Sequence, residues 1–394
     1  HKAGKTKFIF RAKKITVPGR EIPVDDNILI TANLSNVKFG DSVIMTAALA
    51  TPKNFQDFDY VSYLKKDGIR FIINFPKDIS VQNYEILSFS DKFKIFFYKP
   101  VIQLKNKFES AINNSISEPQ AGFINGILLG NTANLSQDLK ESFNKTGTSH
   151  ILAISGYNIA IISWAVMWIL IWFFPRRKAF WFSVAIIVVF TIMTGASSSV
   201  VRASVMGLLL LFAQGYGRLY DPKNSILFAG ALMIFENPLI LRLDIGFQLS
   251  FLAVLGLMYI YPIINHWTRK LSNAGHFKDL ISATISAQIA VFPLLVYYFH
   301  NFSLISLPAN ILILPFVPAA MFLGFLSGIG GMFFLPIGRL LGYFAWAVTK
   351  YQTDVIENLA SFSHAWVAWN LSLVGLLLCY ALIIFLVWRA RILT

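Results

Sequence analysis

From residue 150 onward the chain is a series of long apolar runs broken by short polar punctuation. Nine of them, at about 151–174, 179–196, 199–216, 225–241, 246–264, 280–299, 303–326, 331–349 and 370–388, predict membrane spans, since roughly 17–25 apolar residues cross the hydrocarbon core. Before residue 100 the period changes. KFIFRAKKI (7–15), NILITAN (27–33), DSVIMTAAL (41–49), IRFIINF (69–75) and KFKIFFY (92–98) alternate or cluster β-branched and aromatic residues, which predicts five strands. Between the third and fourth, FDYVSYLKKDG predicts a short helix capped by Asp59 and ended by Gly68. That order is the order of an OB-fold barrel, and another small antiparallel β-domain fits it too. In 100–149, Val101, Leu104, Phe108, Ile112 and Ile116 recur at helical spacing, and Leu135, Leu139 and Phe143 repeat the pattern. Such stripes predict amphipathic helices at the membrane interface. The expected fold is a polytopic α-helical membrane protein with about nine transmembrane helices. It divides into an OB-like β-barrel domain (1–99), interfacial helices (100–149) and a transmembrane domain (150–394).

Composition supports the membrane assignment. Of 394 residues 56% are hydrophobic and only 14% charged, against about a quarter charged in soluble domains. Yet Lys and Arg number 34 against 20 Asp and Glu, a net charge of +14, which suits a polyanion or an anionic membrane surface. The basic residues also set an orientation. Arg176, Arg177 and Lys178, then Arg218 and Lys223, then Arg269, Lys270 and Lys278, and finally Arg389 and Arg391 fall in alternate connections. The positive-inside rule puts these in the cytoplasm and the β-domain outside it, with Lys350 the discordant charge. Cys379, the single cysteine, leaves no internal disulfide, and a chain that opens on His1 without a signal peptide reads as a fragment.

In that orientation polar residues collect in the outer leaflet. Ser155, Gly156 and Asn158 open the first span, Ser198 and Arg202 the third, and Asp244 and Gln248 the fifth. Gln288 lies within the sixth span with His300 at its outer end, and Asn310 interrupts the seventh among Pro308, Pro315 and Pro318. A polar atom at membrane depth needs a partner or a wet cavity. Singly these residues read as packing glue between helices; as a set they read as a polar vestibule, in which Arg202 and Asp244 share a depth and are expected to pair. GFLSG (324–328) reads as helix packing. In the first strand Lys7, Arg11, Lys13 and Lys14 alternate with Phe8 and Phe10, the mixture of cations and stacking surfaces that binds single-stranded nucleic acid. Strand aromatics are also core, and a basic run is also a solvated face.

Catalysis is not expected: the sequence has no phosphate-binding G-x-x-x-x-G-K loop, no G-x-S-x-G elbow and no paired histidine spacing. No cofactor or metal is expected either. The blocks GILLGNTANLSQDLKESFNKTGTSHILAISGYNIAII, MTGASSSVVRASVM, DPKNSILFAGAL, NPLILRLDIGFQLSF, AQIAVFPLLVYYF and PANILILPFVP follow one another in the chain. Together they resemble the ComEC competence membrane proteins, and FDYVSYLKKDGI resembles the end of that family's extracytoplasmic OB-like domain. The resemblance implies an inner-membrane channel taking one strand of transforming DNA into the cytoplasm. It implies single-stranded DNA and membrane lipid as partners, with an outer DNA receptor and a cytoplasmic helicase-like ATPase. Tyr157-Asn158 depart from the family's Leu-His, and Tyr298 stands where it often has His. The family's metallo-β-lactamase-like domain and N-terminal membrane helices are not in this sequence, as expected of a fragment. The rival expectation is a small-solute or lipid transporter, or a membrane-assembly protein, whose β-domain docks a protein.

Overall fold

The computed structural model describes all residues except 1–4, 18–19, 34–36, 38, 55–58, 83–88, 155–157, 160–166, 168–169, 269–274, 363–365 and 394. The chain forms two compact units, one of residues 1–103 with 236–244, the other of 104–235 with 245–394.

In the first unit, β1 (Lys5–Val17) pairs antiparallel with β2 (Arg20–Asn33), and Phe8 faces Ile30 while Phe10 faces Ile28. After β3 (Ser42–Thr46) comes α1 (Tyr60–Lys65), where the Asp59 carboxylate accepts from the Ser62 backbone N–H. Gly68, at φ +70°, turns the chain out of this helix into β4 (Ile69–Asn74). β4 runs parallel to β2, while β5 (Lys77–Gln82) pairs antiparallel with β3. Ala12, Ile28, Ile30, Ala32 and Ile73 make the core between strands.

The helix between the third and fourth strands is as the sequence predicts; the strand pairing is not that of a closed barrel. Among the described residues the strands make a three-stranded and a two-stranded sheet, tied by an isolated bridge from Ala50 to Ile72. The expected fifth strand, KFKIFFY, is helical and belongs to α2 (Phe89–Ser115). Its local alternation is overridden by a longer period, since Phe93, Phe97, Val101, Leu104, Phe108, Ile112 and Ile116 recur every three or four residues. The Phe93 and Phe97 rings meet at 4.7 Å as helical neighbours do.

The second unit begins with the rest of α2 and continues through α3 (Gln120–Leu129), α4 (Gln137–Lys145) and α5 (Ser149–Leu152). The helices α6 (Arg176–Met193), α7 (Ser198–Gly215), α8 (Pro222–Glu236), α9 (Ile240–Leu243), α10 (Ile245–Tyr259), α11 (Tyr261–Trp267) and α12 (Gly275–Phe299) follow. Then come β6 (Asn301–Ser303), α13 (Ser306–Ile313), a 3-10 turn, α14 (Val317–Phe333), α15 (Leu335–Ala360), β7 (Trp366–Ala368) and α16 (Leu373–Leu393). The apolar stripes of 100–149 face protein: Phe108, Ile112, Ile116, Leu135, Leu139 and Phe143 share one core with α3, α13, α14 and α15.

Among the described residues, four segments are long and apolar enough to cross a membrane, namely Ser198–Gly215, Lys278–Phe299, Ser306–Phe333 and Leu373–Ala390. The pair α10 and α11, bent by 42°, makes a fifth if it is one span. The remaining spans of the expected nine differ for identifiable reasons. Half of 151–174 lies outside the described residues. α6 spends its first turn on Arg176, Arg177 and Lys178, α8 has only 15 residues, and α15 carries Arg339, Lys350, Asp354 and Glu357. Fifteen residues of helix reach about 22 Å, short of a core of about 30 Å.

α15 presents Gly338, Gly342 and Ala345 on its buried face. A Cβ on Gly338 would stand 2.5 Å from the Gly331 Cα, and one on Gly342 would stand 2.7 Å from the Ser115 carbonyl oxygen. The Ser327 hydroxyl donates to the Gly338 carbonyl at 2.8 Å. On α14, Gly324 packs against Ile124 and Gly328 against Phe108, so GFLSG is a packing seam.

Candidate functional site

The polar residues of the expected vestibule separate into groups. Ser155 and Gly156 lie outside the described residues. Asn158 is buried, and its amide donates at 3.0 Å to the carbonyl of Ile127. Ile127 belongs to the last turn of α3, where carbonyls lack helical partners, so Asn158 holds a helix end. The sequence reading, an amide turned into an entrance, is not the geometry found. Asn158→Leu is therefore expected to destabilise the protein by about 1–3 kcal/mol, the cost of stranding a buried acceptor. An unchanged unfolding midpoint would show that the amide faces water after all.

The second group lies on α7 and α10. Ser198 opens α7 directly after Ser197 at its cap. Arg202, one turn on and only 6% exposed, donates from Nε to the Ser250 hydroxyl at 2.9 Å. Its guanidinium carbon stands 5.9 Å from the centre of the Phe251 ring. Asp244, expected to share the depth of Arg202, belongs to the first unit. There it accepts from the Lys66 ammonium at 2.7 Å, and the carbonyl of Lys66 accepts from the Asn237 amide at 2.8 Å. No local pattern links Lys66 with Asp244, which are 178 positions apart. Gln248 follows on the first turn of α10.

A third group gathers where α12 meets α13. The Gln288 amide donates to the Ser306 hydroxyl at 3.3 Å, and Asn310, one turn further along α13, is buried. Onto this face comes the loop after α4, where Thr146 and Thr148 are buried with their hydroxyls 2.7 Å apart. Between them Gly147 takes φ +66°, and a Cβ there would stand 2.8 Å from that of Ser306. Thr146, Thr148 and Ser306 were missed in the sequence, although the TGTS string ends a helix inside one of the blocks that carry the resemblance. His300, at φ +53°, closes α12, and its carbonyl accepts from the Trp369 N–H at 3.0 Å.

On β1 the expected nucleic-acid contacts are otherwise engaged. Phe8 and Phe10 pack against the core between the strands. The Arg11 guanidinium makes two 2.7 Å bonds to Asp25 and reaches Asp91 at 3.1 Å. Lys13 meets the same two carboxylates, and Lys14 pairs with Glu21. The hydrogen bond from Arg11 is the main cause that holds the Asp25 carboxyl down to about 2. The side chain of Lys7 lies outside the described residues. Among the described residues no three His, Cys, Asp or Glu side chains gather where a metal ion would sit.

A sequence model of the competence-protein family matches residues 127–392. The chain is 26% identical over 329 residues to ComE operon protein 3 of Bacillus subtilis, covering 82% of this chain and 40% of that protein. It is 24% identical over 290 residues to recombination protein 2 of Haemophilus influenzae, covering 68% of this chain and 35% of that one. The chain thus spans well under half the length of these relatives. No solved structure matches it.

Proposed function

Because the chain belongs to the competence-protein family, we propose that it serves DNA uptake and forms the path by which single-stranded DNA crosses the cytoplasmic membrane. The observation that carries this reading is Arg202. It sits buried in a helix long enough to span, hydrogen-bonded to a serine, with no carboxylate within 4.0 Å among the described residues of its own unit. A cation at that depth is expensive and marks an ion or substrate route; the phosphates of a passing strand are the counter-charge it lacks. The Gln288, Ser306 and Asn310 group supplies further hydrogen-bonding side chains, which replace water around a backbone that is costly to desolvate. In this reading the first unit is extracytoplasmic, as the basic connections argue. An outer DNA receptor delivers the strand, and a helicase-like ATPase pulls it from inside. The paired cations of β1 favour a second reading for the first unit alone, that of a protein-docking module.

The test is natural transformation in a strain deleted for this gene and complemented with variants. Arg202→Gln is expected to cut transformant yield roughly 10- to 150-fold at unchanged protein level, the equivalent of one charged hydrogen bond, and Arg202→Lys to restore part of it. Normal yield from Arg202→Gln would remove the route from this residue.

A further inference from the structure

The β1 cations are ion-paired and Phe8 and Phe10 pack partly against the core, which turns attention to a second basic and aromatic surface of the first unit. We propose that the N-terminal half of α2 is that surface, with Phe96 stacking a base between phosphate contacts from Lys92 and Lys99. The inference rests on the DNA reading above and locates it on residues that the strand pattern had concealed.

One face of this half-helix is already used. Ile95 lies against Gly40, whose φ of +90° brings the backbone close, Tyr98 stacks on Phe39 at 6.1 Å, and Asp91 takes Arg11 and Lys13. The opposite face is bare. Phe96 is 73% exposed and Phe93 58%, and the Phe96 and Phe97 rings stand edge to face at 5.4 Å. Lys92 lies one turn before Phe96 and Lys99 one turn after it, on the same side. Neither lysine has a carboxylate within 4.0 Å among the described residues. Lys92, Phe96 and Lys99 together with Ile95, Pro100 and Gln103 line an open hollow of about 520 Å³.

The exposed ring and the cations are adjacent on this helix. Lys92 and Lys99 project within about 20° of each other around the axis and about 40–60° from Phe96, one turn before and one turn after it. Single-strand sites combine a cationic track with aromatic platforms, and tolerate sequence because every base offers a π-face.

The experiment uses the whole chain in nanodiscs, a fluorescent thirty-nucleotide oligo-dT, and titrations at several salt concentrations. Phe96→Ala is expected to weaken binding roughly 5- to 150-fold. The pair Lys92→Gln with Lys99→Gln is expected to reduce the slope of log affinity against log salt by about 1.4, two phosphate contacts on a single strand. If the chain binds DNA and both variants bind as the parent does, the proposal is overturned while the DNA reading stands. If the parent chain itself does not bind, the DNA reading falls and the proposal with it. A third measurement addresses the membrane. A nitroxide at Phe96→Cys, with Cys379→Ser, is expected to be accessible to an aqueous nickel complex and to lose that access when oligo-dT binds. Oxygen access with nickel exclusion in the DNA-free protein would place the ring in lipid and overturn the proposal.

Discussion

Asp244→Ala is expected to cost about 3–5 kcal/mol of stability, because it strands a buried ammonium. The side chains of Lys66 and Asp244 are only 11% and 9% exposed, so solvent cannot replace the lost carboxylate. The Tyr63 ring, 4.4 Å from the ammonium, offers only part of the compensation. The double variant Lys66→Met with Asp244→Leu removes both charges and is expected to recover most of the loss, as apolar replacement of buried pairs does elsewhere. The unfolding midpoints of the parent, the single and the double variant decide it; equal losses in single and double would mean that the pair is not the source. The pH dependence follows in sign. Burial alone would lower the pKa of Lys66, but the hydrogen bond and charge of Asp244 outweigh it and leave it above the ordinary lysine value. The lysine's contribution is therefore complete below its unfolded pKa of about 10.4. It is lost as pH climbs through the raised folded value.

Gly338→Ala is expected to be the more damaging of the helix-seam changes. Overpacking costs about 1–3 kcal/mol when neighbours can move. Here the added Cβ meets the backbone of Gly331 at 2.5 and 2.7 Å and the Ser115 hydroxyl at 2.6 Å, so α14 itself must shift. The expected loss is at the upper end of that range, with a lower yield of folded protein. Gly217→Ala is the contrast: its Cβ would meet nothing within 4 Å, and only its φ of +64° resists, at about 1–2 kcal/mol. Thermal unfolding of the two purified variants compares them, and a milder Gly338→Ala would mean that the α14–α15 seam opens easily.

How much of this was legible in the sequence depends on range. Asp59 as a cap and Gly68 as a stop are local statements, and both were readable within a dozen residues. The KFKIFFY error came from too short a window: over seven residues alternation wins, whereas over twenty-four the helical stripe from Phe93 to Ile116 does. The aromatics of β1 were read as a stacking surface because alternation does not say which face is the core; the pairing of Phe8 with Ile30 and Phe10 with Ile28 does. Arg202 was marked as needing a partner, and nothing in one dimension points to Ser250, 48 positions away. Long-range choices of that kind are made by packing. The competence family was legible because its blocks are contiguous stretches rather than distant pairs.

The placement of residues 236–244 in the first unit has a consequence in time. The strands of that unit are made well before its last segment, and its buried Lys66 waits for a carboxylate 178 residues later. At about 5–20 residues per second, the delay is roughly 9–36 s. Throughout it, α1 carries an unmatched ammonium while α6, α7 and α8 are being made. The first unit is thus completed only once residues 236–244 have been made, long after its strands.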